Sequence, residues 1–194
     1  MTDKERAYYT EHIRGLLSED RFQHSVNVSH QVVKLAQIYG CDLHQAELAG
    51  LLHDVMKDAG KKEQLALMEK YGVRLSRIES NAPKLWHAMT GAVYVKHILA
   101  IEDEDVINAI RYHTTGRAGM SLLEKIIYIA DCTSEERNYK GVERIRKLAV
   151  TDLNEVMAEA LMDSLQKRLV DHTPMHPDTV EAYNEVILAK KQQA

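Results

Sequence analysis

Only 3 prolines fall in 194 residues, and apolar side chains recur at intervals of three and four along nearly the whole chain. Proline is the residue that most reliably ends a helix, so its scarcity leaves long helices free to run. No segment alternates apolar and polar residues for long enough to define a strand. The expected fold class is therefore all-α.

The helix boundaries can be placed from their signals. A short amphipathic helix spans 4–17. Ser18 caps the next, with Glu19 and Asp20 in its first turn, and it runs to about Ile38 before Gly40. Asp42 and Gln45 read as a capping box opening a helix whose buried stripe is Leu48, Leu51, Leu52 and Val55. Further helices are expected at 61–71, 85–99 behind Pro83, 104–113 and 122–132, the last opened by a second box, Ser121 and Glu124. The stretch 114–119, with two glycines, reads as a loop. Helices near 142–150, 152–171 and 178–190 complete the chain, interrupted at His172–Pro177, HTPMHP. With no repeat or linker, the chain reads as one domain over 1–194.

Composition excludes several function classes. Hydrophobic residues make up 45% and charged residues 28%, a balance that can bury a core. The formal net charge of −4 provides no global positive field, so neither a nucleic-acid nor a membrane partner is expected. The longest apolar run, Ile126–Ala130, is far below the ~18 residues of a membrane span. The polar N-terminus lacks a signal-peptide apolar region, and two cysteines make no disulfide framework, so a cytoplasmic location is expected.

Against that plain background stand 10 histidines. His12, His30, His44 and His97 lie among polar neighbours on helices, where an exposed histidine needs no explanation. His53 is different: Asp54 follows it directly, behind the pair Leu51-Leu52. A carboxylate buried there unpaired would be costly. Asp131 likewise ends the most apolar run of the chain, and His24 sits 29 positions before His53. Two imidazoles and two carboxylates form a nitrogen and oxygen donor set that suits Fe, Mn, Co or Mg in an open site better than structural zinc. Cys132, next to Asp131, reads as a small apolar residue rather than a ligand.

The ordered set His24, His53-Asp54, Asp131 resembles the signature of the HD-domain superfamily of metal-dependent phosphohydrolases. Two further histidines, in Trp86-His87-Ala88-Met89-Thr90-Gly91 and Tyr112-His113-Thr114-Thr115-Gly116, match extra positions of several of its subgroups. More narrowly, the chain is similar to the YqeK-type family, bacterial enzymes that split diadenosine tetraphosphate into two ADP. That likeness runs from Arg21-Phe22-Gln23-His24 through Leu52-His53-Asp54-Val55-Met56-Lys57 and Asp131…Arg137 to His172–Pro177. It implies an all-helical HD-domain bundle with a metal core at about 18–135, and helices over 141–194 closing a nucleotide pocket. It implies one metal, iron by preference with Mn or Co as options, held by His24, His53, Asp54 and Asp131. Nucleotide contacts would come from Arg21, Asp54, Val55, Met56, Lys57, His87, His113, Thr114, Arg137, His172, Thr173, Pro174, Met175, His176 and Pro177. Catalytic roles would fall to Asp54, Lys57, His87 and His113.

The chemistry asked of these residues is hydrolysis of a phosphoanhydride. A divalent metal would acidify the attacking water and act as a Lewis acid, while Arg21, Lys57 and Arg137 would neutralise phosphate charge. Lys57 follows Asp54 by three residues, one helical turn along the same wall. For His87 and His113 two roles stay open: a second metal centre, or phosphate binding with protonation of the leaving group, which the resemblance favours. Gly91 and Gly116, each close behind one of these histidines, are expected to let a ligand approach the backbone. The loop at 172–177 is either a connector or a base and ribose contact. The expected partner is a nucleotide substrate with ADP as product, and a homodimer is left open. Two rival readings remain, another HD-type nucleotide phosphohydrolase and a non-catalytic nucleotide-sensing module.

Overall fold

The computed structural model describes residues 1–193, and among these every regular element is helical. The helices are α1 (Asp3–Arg14), α2 (Glu19–Tyr39), α3 (Leu43–Leu52), α4 (Lys61–Lys70), α5 (Arg77–Ser80), α6 (Trp86–His97), α7 (Glu104–Tyr112), α8 (Leu122–Thr133), α9 (Val142–Ala149), α10 (Leu153–Val170) and α11 (Pro177–Gln193). A 3-10 turn at Pro83–Leu85 leads into α6. The all-α reading holds, and the predicted boundaries lie within a few residues of those observed. The short helix α5 was not expected from periodicity, being only 4 residues long.

The core is built on α2, α3, α7 and α8. α2 packs along α3 and across α8, α7 bridges α3, α6 and α8, and α4 covers α6. α3 is buried over most of its length, at Ala46, Leu48, Ala49, Gly50, Leu51 and Leu52, and turns only His44, Gln45 and Glu47 to polar partners. α10 packs on α8, α9 and α11, so the C-terminal helices lie against the same core.

Several local devices differ from expectation. Ser18 stands at the N-cap of α2, yet its side chain makes no cap bond; its amide and hydroxyl both donate to Asp58 Oδ2, at 2.8 and 2.7 Å. Neither predicted capping box closes on itself. Asp42 accepts from the Gln45 amide, but the Gln45 side chain donates to Asp103, and Ser121 accepts from the Glu124 amide while the Glu124 carboxylate takes Arg117. Reciprocal boxes occur instead at Thr2–Glu5 and Ser76–Glu79. α2 stops where expected, because Gly40 takes the left-handed conformation at φ 74°.

Candidate metal and nucleotide site

Five elements end or pass within a few ångströms of one point. His24 lies in the second turn of α2, Asp131 near the end of α8 and His87 at the start of α6. His53 and His113 are the residues immediately after α3 and α7. α3 ends at Leu52, so Asp54 and Lys57 do not share a helix wall as the spacing suggested. They sit in a run of tight turns in which the Val55 amide donates to Leu52 O and the Lys57 amide to Asp54 O. The turns aim both side chains inward.

His53 Nδ1 donates to Gly50 O and His113 Nδ1 to Ile110 O, each at 2.8 Å. A carbonyl only accepts, so each ring carries its proton on Nδ1 and presents a bare Nε2 lone pair to the site. These are carbonyls of a last helical turn, which a helix leaves without intrahelical donors. His24 Nδ1 is bonded to the Glu136 carboxylate, and its Nε2 lies 3.4 Å from His53 Nε2 and 3.1 Å from Asp131 Oδ1. Asp54 bridges the cluster. Its Oδ2 is 3.8 Å from both His24 Nε2 and His53 Nε2, and its Oδ1 is 3.2 Å from His87 Nε2 and 3.5 Å from His113 Nε2.

The electrostatics follow from this crowding. Burial disfavours the charged form of His53 and, with the neighbouring imidazoles, lowers its pKa to about 4. Burial also lowers the pKa of His87, assisted by His113 and Lys57. Burial works against the Asp54 and Asp131 carboxylates too, but the surrounding histidines, with Lys57 at Asp54 and Arg137 at Asp131, hold both well below the usual range. For His24, burial is outweighed by Asp131 and Glu136, which raise its pKa. Burial pushes the Cys132 thiol up to about 12, and its Sγ donates to Ile129 O, as befits a packing residue.

Do these residues fit a metal ion? Asp54 is 1% exposed, and its Oδ1 has no hydrogen-bond partner. Around it stand the Nε2 atoms of His53 and His113, which offer lone pairs, and that of His87, which accepts from Lys57. Such a concentration of acceptors is unfavourable unless a cation sits among them. Two groupings can hold one: His24, His53 and Asp131, and His53, Asp54 and His113, each with donor atoms within 4.8 Å of one another. His87 belongs to neither grouping, and its Nε2 accepts from the Lys57 ammonium at 3.0 Å.

The three cations named from the sequence all reach the cluster. Arg21 Nη1 is 3.6 Å from Asp54 Oδ2, Lys57 Nζ is 3.4 Å from Asp54 Oδ1, and Arg137 donates to both the backbone and the side chain of Asp131. Val55 and Met56 are 2% and 4% exposed, so their side chains belong to the core and only their backbone can meet a ligand. Thr114 leads from His113 into a cavity of about 280 Å³ lined by the 3-10 turn, α10 and Thr173–His176. Thr114 Oγ1 and Thr115 Oγ1, both on that lining, are buried without hydrogen-bond partners. Of the predicted loop, His172 and Pro177 lie outside the lining and are exposed.

The two glycines do not serve a ligand. A Cβ at Gly91 would lie 3.2 Å from Ile110 Cγ2, so this glycine lets α6 approach α7. Gly116 has φ +63° and faces Met120, Ala182 and Leu161, so it turns the chain under the C-terminal helices. Sequence reasoning missed Glu136, Asn27 and Thr115. Glu136 is 112 residues from His24, and no local pattern ties the two together.

Comparison with known proteins agrees with this geometry. The HD domain profile matches residues 21–136. A Halalkalibacterium halodurans protein named symmetrical bis(5'-nucleosyl)-tetraphosphatase is 42% identical over 92% of this chain and 95% of its own length. A Bacillus subtilis protein of the same name is 37% identical over 90% and 94%. The crystal structure of a "predicted HD superfamily hydrolase involved in NAD metabolism" from Clostridium acetobutylicum superposes with a TM-score of 0.92 at 36% identity, over 95% of this chain and 97% of that one. The site is thus found in a chain that matches its relatives nearly end to end, and the chain belongs to the HD-domain family.

Proposed function

We propose that this protein is a metal-dependent phosphoanhydride hydrolase that cleaves bis(5'-nucleosyl) tetraphosphates, diadenosine tetraphosphate foremost, symmetrically into two ADP. The observation that carries the reading is Asp54 Oδ1, buried without a hydrogen-bond partner between imidazole nitrogens and the Lys57 ammonium. The relatives that share nearly the whole chain bear the name of that activity.

His24, His53, Asp54 and Asp131 would hold one divalent transition metal, with iron our first choice and manganese or cobalt next. Bound there, it would supply Lewis acidity to a phosphoryl oxygen and acidify a water molecule. Lys57 and Arg21, on either side of Asp54, stand where phosphate charge has to be neutralised. Arg137 spends its Nε and Nη2 on Asp131, and Nη1 is the donor it would turn to a phosphate oxygen. His87 and His113 present Nε2 atoms 3.2 Å apart; a proton released by the attacking water would be taken up on one of these lone pairs, from where it would hold a phosphate oxygen and pass to the departing diphosphate. Because His87 already takes Lys57, we favour this role over a second metal.

In this reading the chain works as one unit over 1–194. The metal core occupies about 18–135, and the helices of 141–194 close the nucleotide pocket. The cavity beyond Thr114 takes one nucleoside, where the apolar faces of Pro174 and Met175 meet the base and the unpartnered Thr114 hydroxyl meets a polar group. Free cysteines and a nucleotide substrate favour a cytoplasmic setting, and no helix among the described residues is long and apolar enough to cross a membrane.

The test is product identification from diadenosine tetraphosphate with metal-loaded protein. Two ADP per substrate is the expected result. AMP plus ATP, or turnover only of mononucleotides or guanosine polyphosphates, would replace this reading with another HD-type phosphohydrolase. Tight nucleotide binding without turnover would replace it with a sensing module.

A further inference from the structure

We propose that Glu136 is a positioning residue for the metal centre, fixing the tautomer and ring orientation of His24; this rests on the metal reading of the site given above. His53 and His113 each follow the last residue of a helix and give their Nδ1 proton to a carbonyl of that helix's last turn. His24 cannot use that device. It lies inside α2, where the carbonyls one turn back belong to the helical ladder. Its Nδ1 proton needs an acceptor from elsewhere in the fold, and the Glu136 carboxylate supplies it. With the proton held on Nδ1, Nε2 faces His53 Nε2 and Asp131 Oδ1 as a lone pair.

Glu136 is itself held from two sides. Ser134 Oγ donates to its Oε1 at 2.7 Å, and Asn27 Nδ2, one turn after His24 on α2, donates to its Oε2 at 2.8 Å. The irregular segment that carries it is pinned by one side chain. Arg146 of α9 donates to the carbonyls of Thr133, Ser134, Glu135 and Arg137, at 3.0, 2.6, 3.1 and 2.9 Å. The next residue, Arg137, reaches back to Asp131. Two adjacent residues of one segment therefore orient two site residues on different helices, His24 on α2 and Asp131 on α8.

The test compares wild type, Glu136→Ala and Glu136→Gln after metal removal with a chelator. Mn(II) or Co(II) is titrated back against a competing fluorescent chelator, and the thermal midpoint of each metal-free protein is measured alongside. The Glu136 side chain is 37% exposed, so neither variant opens a buried hole. Glu136→Ala is expected to bind metal about 10–100-fold more weakly at an unchanged metal-free midpoint. Glu136→Gln keeps an oxygen acceptor for the Nδ1 proton and is expected to recover most of the loss. Wild-type affinity in Glu136→Ala overturns the proposal. So does an equal loss in both variants with a lowered metal-free midpoint, which would make Glu136 structural. A wild-type protein that takes up no metal overturns the metal reading itself, and this proposal with it.

Discussion

Asp54 is expensive to bury. It is 1% exposed, ionised, and leaves one oxygen without a hydrogen bond. Folding alone gives no reason to keep such a group, because an apolar or neutral residue would cost less. Two outcomes follow for Asp54→Asn. Hydrolysis should fall by more than about 10²-fold, with loss of bound metal seen by elemental analysis. The metal-free variant should melt close to metal-free wild type, since the substitution gives up the pairing with Lys57 and Arg21 together with the cost of burying the charge. A markedly lower midpoint would assign Asp54 to the fold instead. Lys57 is a different case, being 27% exposed and anchored on His87 and Asp54. Lys57→Ala should lower kcat/KM for diadenosine tetraphosphate by about 10²-fold while leaving metal content unchanged, which elemental analysis beside steady-state kinetics would check.

The contact between α2 and α3 decides whether His24 and His53 meet, and Gly50 governs it. A Cβ at position 50 would lie 2.8 Å from Ser29 Cα, a backbone atom that cannot swing away. Gly50→Ala should therefore push α3 off α2, costing about 1–3 kcal/mol in denaturant melts and weakening metal binding. A second junction joins α5, α7 and the segment before α11. The Glu79 carboxylate takes Arg111 at 3.0 Å, faces His176 Nε2 at 3.5 Å and caps α5 through Ser76. Burial opposes its charge, yet Ser76, Arg111 and His176 together hold its pKa below the ordinary value. A depressed carboxylate pKa adds stability that is present above the unfolded value, about 4.3, and is lost as pH falls through the folded one. Glu79→Gln should cost about 1–3 kcal/mol at pH 7. Its deficit against wild type should shrink below about pH 4, as read from melts across pH.

For the whole molecule, the proposed metal ligands come from α2, α8 and the turns after α3. Chelation should therefore lower the thermal midpoint, and metal at 100 times its Kd should restore about 2.7 kcal/mol. The helices were legible in the sequence because local physics dictates them. Three- and four-residue periodicity, Gly40 after α2, and Asp42 and Ser121 as acceptors at helix starts all act within one or two turns. The candidate cluster could be read for a related reason: charged Asp54 and Asp131 within apolar runs demand a partner wherever the chain goes. What the sequence could not show was which atoms do the holding. Gln45 and Glu124 looked like capping partners but went to Asp103 and Arg117, because a side chain bonds whatever the packed fold brings nearest. Gly91 and Gly116 looked like ligand clearances and turned out to be packing positions. By itself the sequence determined an all-helical chain and pointed to imidazoles and carboxylates whose burial calls for a compensating charge. The tertiary structure alone decided their geometry: the lone pairs of His53 and His113 follow from unpaired carbonyls at helix ends, and that of His24 from Glu136, 112 residues away. Periodicity and capping are short-range, whereas the direction of a lone pair depends on a partner that only folding delivers.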